Sequence, residues 1–175
     1  MNIKQGTFYM FTGLAGVGKT EFGTRFYNYL KSKRNDVILF DGDVMRSTYY
    51  SGLGYTREER ILSALNCAQV SKALLEQGIN IVYCAIELFD EVMEWRYNNF
   101  ENYVEIYIET PMEILKKNNK KNLYSGEVKD VVGMDIPFDI PKHQFYKIEN
   151  DFTRSPQDIV EDLIEKLREQ NKLIV

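Results

Sequence analysis

At 175 residues and 44% hydrophobic, the chain has the length of one domain and enough apolar material for a substantial core. Its 22 basic and 26 acidic side chains leave a formal net charge of −4, which excludes the basic footprint needed to hold a nucleic-acid backbone. No run approaches the roughly twenty apolar residues of a membrane helix, and the short apolar stretch near the N-terminus breaks into glycines instead of a cleavage site, so a cytoplasmic protein without membrane contact is expected.

Taken in chain order, apolar runs of strand length alternate with amphipathic stretches of helix length. Residues 7–12 read as a strand and 19–33 as the helix after it. Residues 36–41 (DVILFD) form a second strand. Residues 57–77 have helical spacing at Ile61, Leu65, Ala68, Ala73 and Leu74, with Gly78 as the stop. Residues 79–86 are nearly all apolar and give a third strand, 90–100 a helix, and 103–109 (YVEIYIE) a fourth strand. Pro111 suits the first turn of a helix, 144–149 a fifth strand, and 155–170 a helix opened by Ser155 as cap and Pro156 in the first turn.

Such alternation with buried strands predicts one α/β domain over 1–175, a parallel sheet with helices on both faces. Residues 118–142 break the pattern: they are polar, carry Gly126, Gly133, Pro137 and Pro141, and form a connection long enough for a lid or binding loop. Cys67 and Cys84 lie among apolar neighbours without metal-ligand spacing, and read as buried thiols. The single histidine, His143, sits in a loop-like stretch, so chemistry needing a histidine base is not expected.

The chemistry-bearing stretch is Gly13-Leu14-Ala15-Gly16-Val17-Gly18-Lys19-Thr20, which fits G-x-x-x-x-G-K-[ST] at every fixed position between a strand and a helix. Glycines let the backbone turn its amides inward, and with the helix N-terminus those amides form an anion cradle. Lys19 is expected on the β- and γ-phosphates of ATP and the Thr20 hydroxyl on magnesium. The fold expected is therefore of the P-loop NTPase type.

One βα unit later, FDGDVMR delivers Asp41 at the carboxyl end of the second strand, where open α/β sheets bind ligands. Asp43 follows two residues on. One carboxylate is expected to order magnesium and the other to accept a proton from an attacking hydroxyl; the pattern leaves open which does which. Asp-Gly-Asp is also ordinary turn chemistry. Arg46 is placed to hold an acceptor phosphate. In GYTREER (residues 54–60), Thr56 and Glu59 make a capping box, leaving Tyr55 to stack on a base and Arg60 to meet a phosphate.

These three stretches together resemble the adenylylsulfate kinase family, whose members carry a GLSGSGKT-like loop, a DGDNVR-like strand end and a GFSREDR-like helix start. The resemblance continues at TPMEI (110–114), KNLY (121–124) and GEVKDVVGMDIPFDIP (126–141). It implies transfer of the γ-phosphate of ATP to the ribose 3'-hydroxyl of a nucleotide 5'-anhydride. By position it implies that Gly13, Ala15, Gly16, Val17, Gly18, Lys19 and Thr20 bind ATP, that Thr20 and Asp41 serve Mg2+, and that Lys19, Asp41 and Asp43 carry the chemistry, with Asp43 as base or metal-shell group. Arg46, Tyr55, Arg60, Ser63 and Lys121 would bind the acceptor under a lid at 118–142.

Where the chain departs from the family pattern, the acceptor positions change. Ser63 replaces an asparagine, the lid after Leu-Tyr is shorter, Val131 replaces a phenylalanine facing the acceptor's adenine, Asn118 replaces an arginine near ATP's adenine, and Glu87 replaces a serine. Glu87 is expected to set a negative charge near the place of a sulfate. Loss of one aromatic wall weakens purine selection by about 1–3 kcal/mol. The sequence thus looks like the branch of this family that phosphorylates cytidine diphosphoramidate in capsule gene clusters, with adenylylsulfate as the alternative acceptor and another small-molecule kinase as a further one. A switch GTPase is disfavoured because Asn119-Lys120-Lys121-Asn122 does not fit N-K-x-D, and an inactive nucleotide binder because Lys19, Thr20, Asp41 and Asp43 are intact. Twelve tyrosines and an apolar Leu173-Ile174-Val175 end leave room for a homodimer.

Overall fold

The computed structural model describes residues 4–118, 123–126 and 128–175. Its elements run β1 (Phe8–Thr12), α1 (Lys19–Lys31), β2 (Val37–Asp41), α2 (Gly42–Tyr49), α3 (Arg57–Leu75), β3 (Asn80–Ala85), α4 (Asp90–Asn99), β4 (Tyr103–Glu109), α5 (Met112–Asn118), β5 (Tyr146–Glu149) and α6 (Pro156–Glu169). The five strands form one parallel sheet in the order β2-β3-β1-β4-β5.

β1, β3 and β4 are buried along almost their whole length because helices cover both sides of the sheet. Tyr9 and Phe11 point to a cluster with Phe22, Phe26 and Leu30 of α1 and Leu163 and Leu167 of α6. Phe8 and Met10 point the other way, to Met45 of α2, Cys67, Ala68 and Leu75 of α3, and Phe100. Burying side chains of this size contributes roughly 1.5–3 kcal/mol each. Both cysteines are free and buried, as expected, and among the described residues no helix is long and apolar enough to cross a membrane.

The strand order reverses beside β1. The chain leaves it for β2 on one side, fills the gap with β3, and returns to β4 on the other side. A crevice therefore opens at the carboxyl ends of β1 and β3, where ligands bind in such sheets. Helix ends follow their predicted signals. Thr56 and Glu59 form a reciprocal capping box on α3, Ser155 accepts from the Asp158 amide at α6, and Gly78 adopts φ 81° after α3.

One helix is not foreseen by the sequence pattern. Residues 41–46 read as a strand end and turn, yet α2 begins there. Asp41 is its N-cap, with its carboxylate accepting from the Asp43 and Val44 amides. Only Met45 of α2 is buried, so the helix has almost no apolar stripe to betray it. The described part of 118–142 holds turns and one bridge, Val132 to Ile136. Val131, Val132 and Ile136 are buried, so this part of the chain packs onto the domain.

Candidate active site

The glycine loop joins β1 to α1 at the sheet switch. A Cβ on Gly13 would stand 2.3 Å from the Ile108 carbonyl oxygen, so no other residue fits where the loop leaves the strand. Gly18, with φ 101°, caps α1 in a left-handed conformation and directs the helix amides toward the loop. An inward set of amides turns carbonyls outward, and these carbonyls have partners. Lys19 Nζ donates to Leu14 O at 2.7 Å, Tyr124 Oη to Ala15 O at 2.7 Å, and Asn150 Nδ2 to Val17 O at 2.9 Å. Ala15, Gly16 and Val17 thus lie in the turn as expected, with Val17 buried in the core.

Asp41 and Thr20 come together across 21 residues of sequence. Thr20 Oγ1 donates to Asp41 Oδ2 at 2.8 Å, while Asp41 Oδ1 accepts from the Asp43 amide at 2.9 Å. Both oxygens of Asp41 are thereby fixed. Asp43 lies exposed in the first turn of α2, and its negative charge favours the charged form of Arg60. Beneath them Cys84 sits buried beside Asp41, and burial pushes its thiol up to about 12, so it is a packing group and not a nucleophile.

The acceptor candidates also converge. Arg46 Nη1 donates to Gly54 O at 2.7 Å and Nη2 to Ser63 Oγ at 2.9 Å. Arg60 Nε donates to Tyr55 O and Nη2 to Asp130 O, each at 2.8 Å. The two guanidiniums stand 5.0 and 5.1 Å from the Tyr55 ring centroid. Burial and the neighbouring Arg46 cation hold the Arg60 guanidinium below its usual pKa. Two like charges this close are a place where an anion is stabilised. Ser63, only 7% exposed, donates its hydroxyl to the Arg60 backbone carbonyl and accepts from Arg46, so it ties the Arg46 guanidinium to the backbone of α3.

Glu87 departs from the expectation of a negative charge offered to a ligand. It is buried, ion-paired with the fully buried Arg96, and accepts from Tyr83 Oη at 2.6 Å. Its charge is neutralised inside the domain. The second buried carboxylate near Arg96, Glu105, is pushed up by desolvation. Val131 is likewise buried, its amide donating to Asp135, and presents no stacking face. His143 stacks on Tyr97 at 3.7 Å and meets Glu94, in keeping with a surface role. Asn118 ends α5 and is exposed. Lys121 lies outside the described residues.

Sequence reasoning assigned no role to Asn150 or Tyr124. Asn150 follows the last residue of β5 at the carboxyl edge of the sheet, which was the available signal; Tyr124 gave none beyond its place in the KNLY stretch.

The family model described as adenylylsulphate kinase matches residues 5–149. A cytidine diphosphoramidate kinase of Campylobacter jejuni is 38% identical over 160 residues, 89% of this chain and 93% of its own. An adenylyl-sulfate kinase of Picosynechococcus is 29% identical over 169 residues, 94% of this chain and 95% of its own. Among solved structures, the Mycobacterium tuberculosis APS kinase CysC in complex with AMPPNP and APS superposes with a TM-score of 0.84 at 24% identity, over 94% of this chain and 98% of that one. That likeness shows the same fold.

Proposed function

The chain belongs to the adenylylsulphate kinase family, and from that premise we propose that it transfers the γ-phosphoryl group of ATP to the ribose 3'-hydroxyl of cytidine diphosphoramidate. The observation carrying the reaction type is the Thr20–Asp41 contact beside the glycine loop, with the exposed Asp43 two residues on. On this reading the two carboxylates have different roles. Asp41 is pinned by its own helix and by Thr20, so its fixed oxygens suit a metal shell. Asp43 is exposed on the acceptor side, so it suits the base.

Among the described residues there is no group of three or more His, Cys, Asp or Glu that could hold a metal by themselves. Thr20 Oγ1 and Asp41 Oδ2 instead fit magnesium, a hard ion held by one or two protein oxygens with phosphates and waters. When bound, that ion offsets charge on the β- and γ-phosphates. The chain's own part is positional. Loop amides and Lys19 hold the triphosphate, Arg46 and Arg60 hold the acceptor's 5' anhydride, and Tyr55 meets its base. Asp43 accepts the proton as the ribose oxygen bonds to the γ-phosphorus, the β–γ bridging P–O bond breaks, and ADP leaves.

The choice of acceptor is supported by the 38%-identical relative and by Val131, a buried valine where the family resemblance implies a phenylalanine facing the acceptor's base. A cytosine depends less on a two-sided stack than a purine does. The experiment is a parallel assay with ATP and each of cytidine diphosphoramidate and adenylylsulfate, following ADP and the 3'-phosphorylated product by phosphorus NMR. A higher kcat/KM with cytidine diphosphoramidate is expected. A higher value with adenylylsulfate overturns the acceptor, and turnover of neither overturns the nucleotide 3'-kinase reading.

A further inference from the structure

The three outward carbonyls of the glycine loop are held by three different kinds of partner. Leu14 O is held by Lys19, from the loop's own helix. Val17 O is held by Asn150, a buried residue at the end of β5 whose own amide donates to Glu109 O, so it belongs to the sheet. Ala15 O, at the tip of the turn, is held by Tyr124, which comes from the acceptor segment 118–142. The first two partners belong to the rigid frame. The third belongs to the segment laid across the acceptor site.

A second contact between loop and segment runs beside the first. A Cβ on Gly133 would stand 2.9 Å from Leu14 Cδ2, so the segment's backbone lies directly on the side chain of the loop residue before Ala15. Val132 and Ile136 flank that position in the same buried cluster as Leu14 and Val17. The segment therefore touches the loop through one hydrogen bond and one close-packed face. Its far side reaches the acceptor cluster, because Asp130 O accepts from Arg60.

We infer that Tyr124 is a positioning residue that couples occupancy of the glycine loop to the placement of the acceptor segment. The inference rests on the nucleotide-kinase reading above and deepens it. A nucleotide that orders residues 13–20 fixes the direction of the Ala15 carbonyl. That carbonyl holds the Tyr124 hydroxyl, and the segment carrying Tyr124 also carries Asp130, which holds Arg60. The order reads loop, tyrosine, segment, arginine. A donor bound in the loop thereby favours the arginine arrangement that receives the acceptor, and by reciprocity an acceptor favours the donor. Burial pushes the Tyr124 hydroxyl up to about 12, so it remains a donor throughout the neutral range.

The test uses the full chain, ADP with magnesium as probe, and hydrogen exchange read at residues 13–20 and 128–136 in wild type and Tyr124→Phe. Phenylalanine keeps the ring and removes the hydroxyl that donates to Ala15 O. In wild type, the probe is expected to slow exchange in both segments. In Tyr124→Phe, slowing at 13–20 persists, and slowing at 128–136 shrinks by about fivefold, the worth of one hydrogen bond. Unchanged exchange in β1 and β3 shows that the variant is folded. In turnover, the acceptor KM at saturating ATP rises by a similar factor, while the ATP KM at low acceptor stays near wild type. Equal slowing of 128–136 in both proteins overturns the coupling and leaves the kinase reading standing. No slowing at 13–20 in wild type overturns the kinase reading, and the coupling with it. Should Tyr124→Phe disturb β1 and β3, Gly133→Ala, which crowds Leu14 and leaves the Tyr124 hydroxyl in place, replaces it: slowing at 128–136 as in wild type is expected, and its loss there assigns the coupling to the Leu14 contact and overturns the role of Tyr124.

Discussion

The two ends of the site are built in opposite ways. The nucleotide end is a run of eight consecutive residues whose backbone does the binding, anchored to the sheet by Asn150 and to the segment after α5 by Tyr124. The acceptor end is a set of side chains from α2, α3 and the turn between them, each tied to backbone or hydroxyl oxygens: Arg46 to Gly54 and Ser63, Arg60 to Tyr55 and Asp130. A backbone cradle tolerates almost no change in its glycines and little change in ligand. A side-chain cluster can be retuned one residue at a time without unfolding anything. Under the proposed function, that asymmetry lets the acceptor change while the phosphoryl-transfer frame stays fixed.

The sharpest way to break this contrast is to remove the charges that belong to the reacting group itself. Lys19→Ala is expected to lower turnover by about 10²–10³-fold. Asp43→Asn keeps the shape of the α2 turn but removes the proton acceptor, and a loss of about 10²–10⁴-fold is expected. Steady-state turnover under saturating ATP and acceptor reads both. Near-normal turnover of Asp43→Asn would return the base role to Asp41, whose geometry the structure commits elsewhere.

A second test concerns the scaffold beneath the loop. A Cβ on Gly23 of α1 would stand 2.1 Å from Cys84 Sγ, a buried side chain with nowhere to move. Alanine is the better helix former by about 0.8–1 kcal/mol, but overpacking costs about 1–3 kcal/mol, so Gly23→Ala should lower the midpoint of urea unfolding. Adding Cys84→Ala removes the clashing sulfur and should recover most of the loss. If the double variant is no better than the single one, helix–sheet packing at this point is not what Gly23 serves.

Much of the nucleotide end is legible in the sequence because its chemistry is contiguous: eight residues, one spacing, one flanking strand and one helix. The central strands β1 and β3 are legible for a related reason, since burial on both faces makes each of them a nearly unbroken apolar run. Helix α2 is not, because only Met45 gives it an inner face. Asp41 could have been read as a cap, yet the same Asp-Gly-Asp triplet is equally good turn chemistry. The carbonyl partners Asn150 and Tyr124 were illegible because they lie 133 and 109 residues from the oxygens they hold. Glu87 misled in the same way: its partner Arg96 is visible nine residues later, but nothing in the pattern says that the pair turns inward.

At the acceptor end, Tyr55→Ala is expected to raise the acceptor KM by about tenfold, the lower part of the range for base–aromatic stacking. The ATP KM should stay near wild type, since no described contact links Tyr55 directly to residues 13–20. Because the two guanidiniums lean on the same ring, Tyr55→Phe should retain most of the affinity. A loss as large in phenylalanine as in alanine would shift the role from the ring to the hydroxyl.

The smallest effect expected is also the most specific to this chain. Ser63 is 7% exposed, so it scarcely touches solvent or ligand, yet its hydroxyl accepts from Arg46 and donates to the Arg60 carbonyl. Ser63→Ala leaves Arg46 its Gly54 anchor and removes one of two constraints on the guanidinium plane. A rise in acceptor KM of about fivefold is expected, equivalent to one net hydrogen bond, with kcat and the ATP KM little changed. Ser63→Thr keeps the hydroxyl and should restore the acceptor KM if the added methyl is accommodated beside Arg46. The contrast between the two ends then becomes measurable at a single buried atom: if Ser63→Ala lowers kcat as much as it raises the acceptor KM, Arg46 acts on the transferring phosphoryl group and not only on the acceptor, and the division between a donor end and an acceptor end is drawn in the wrong place.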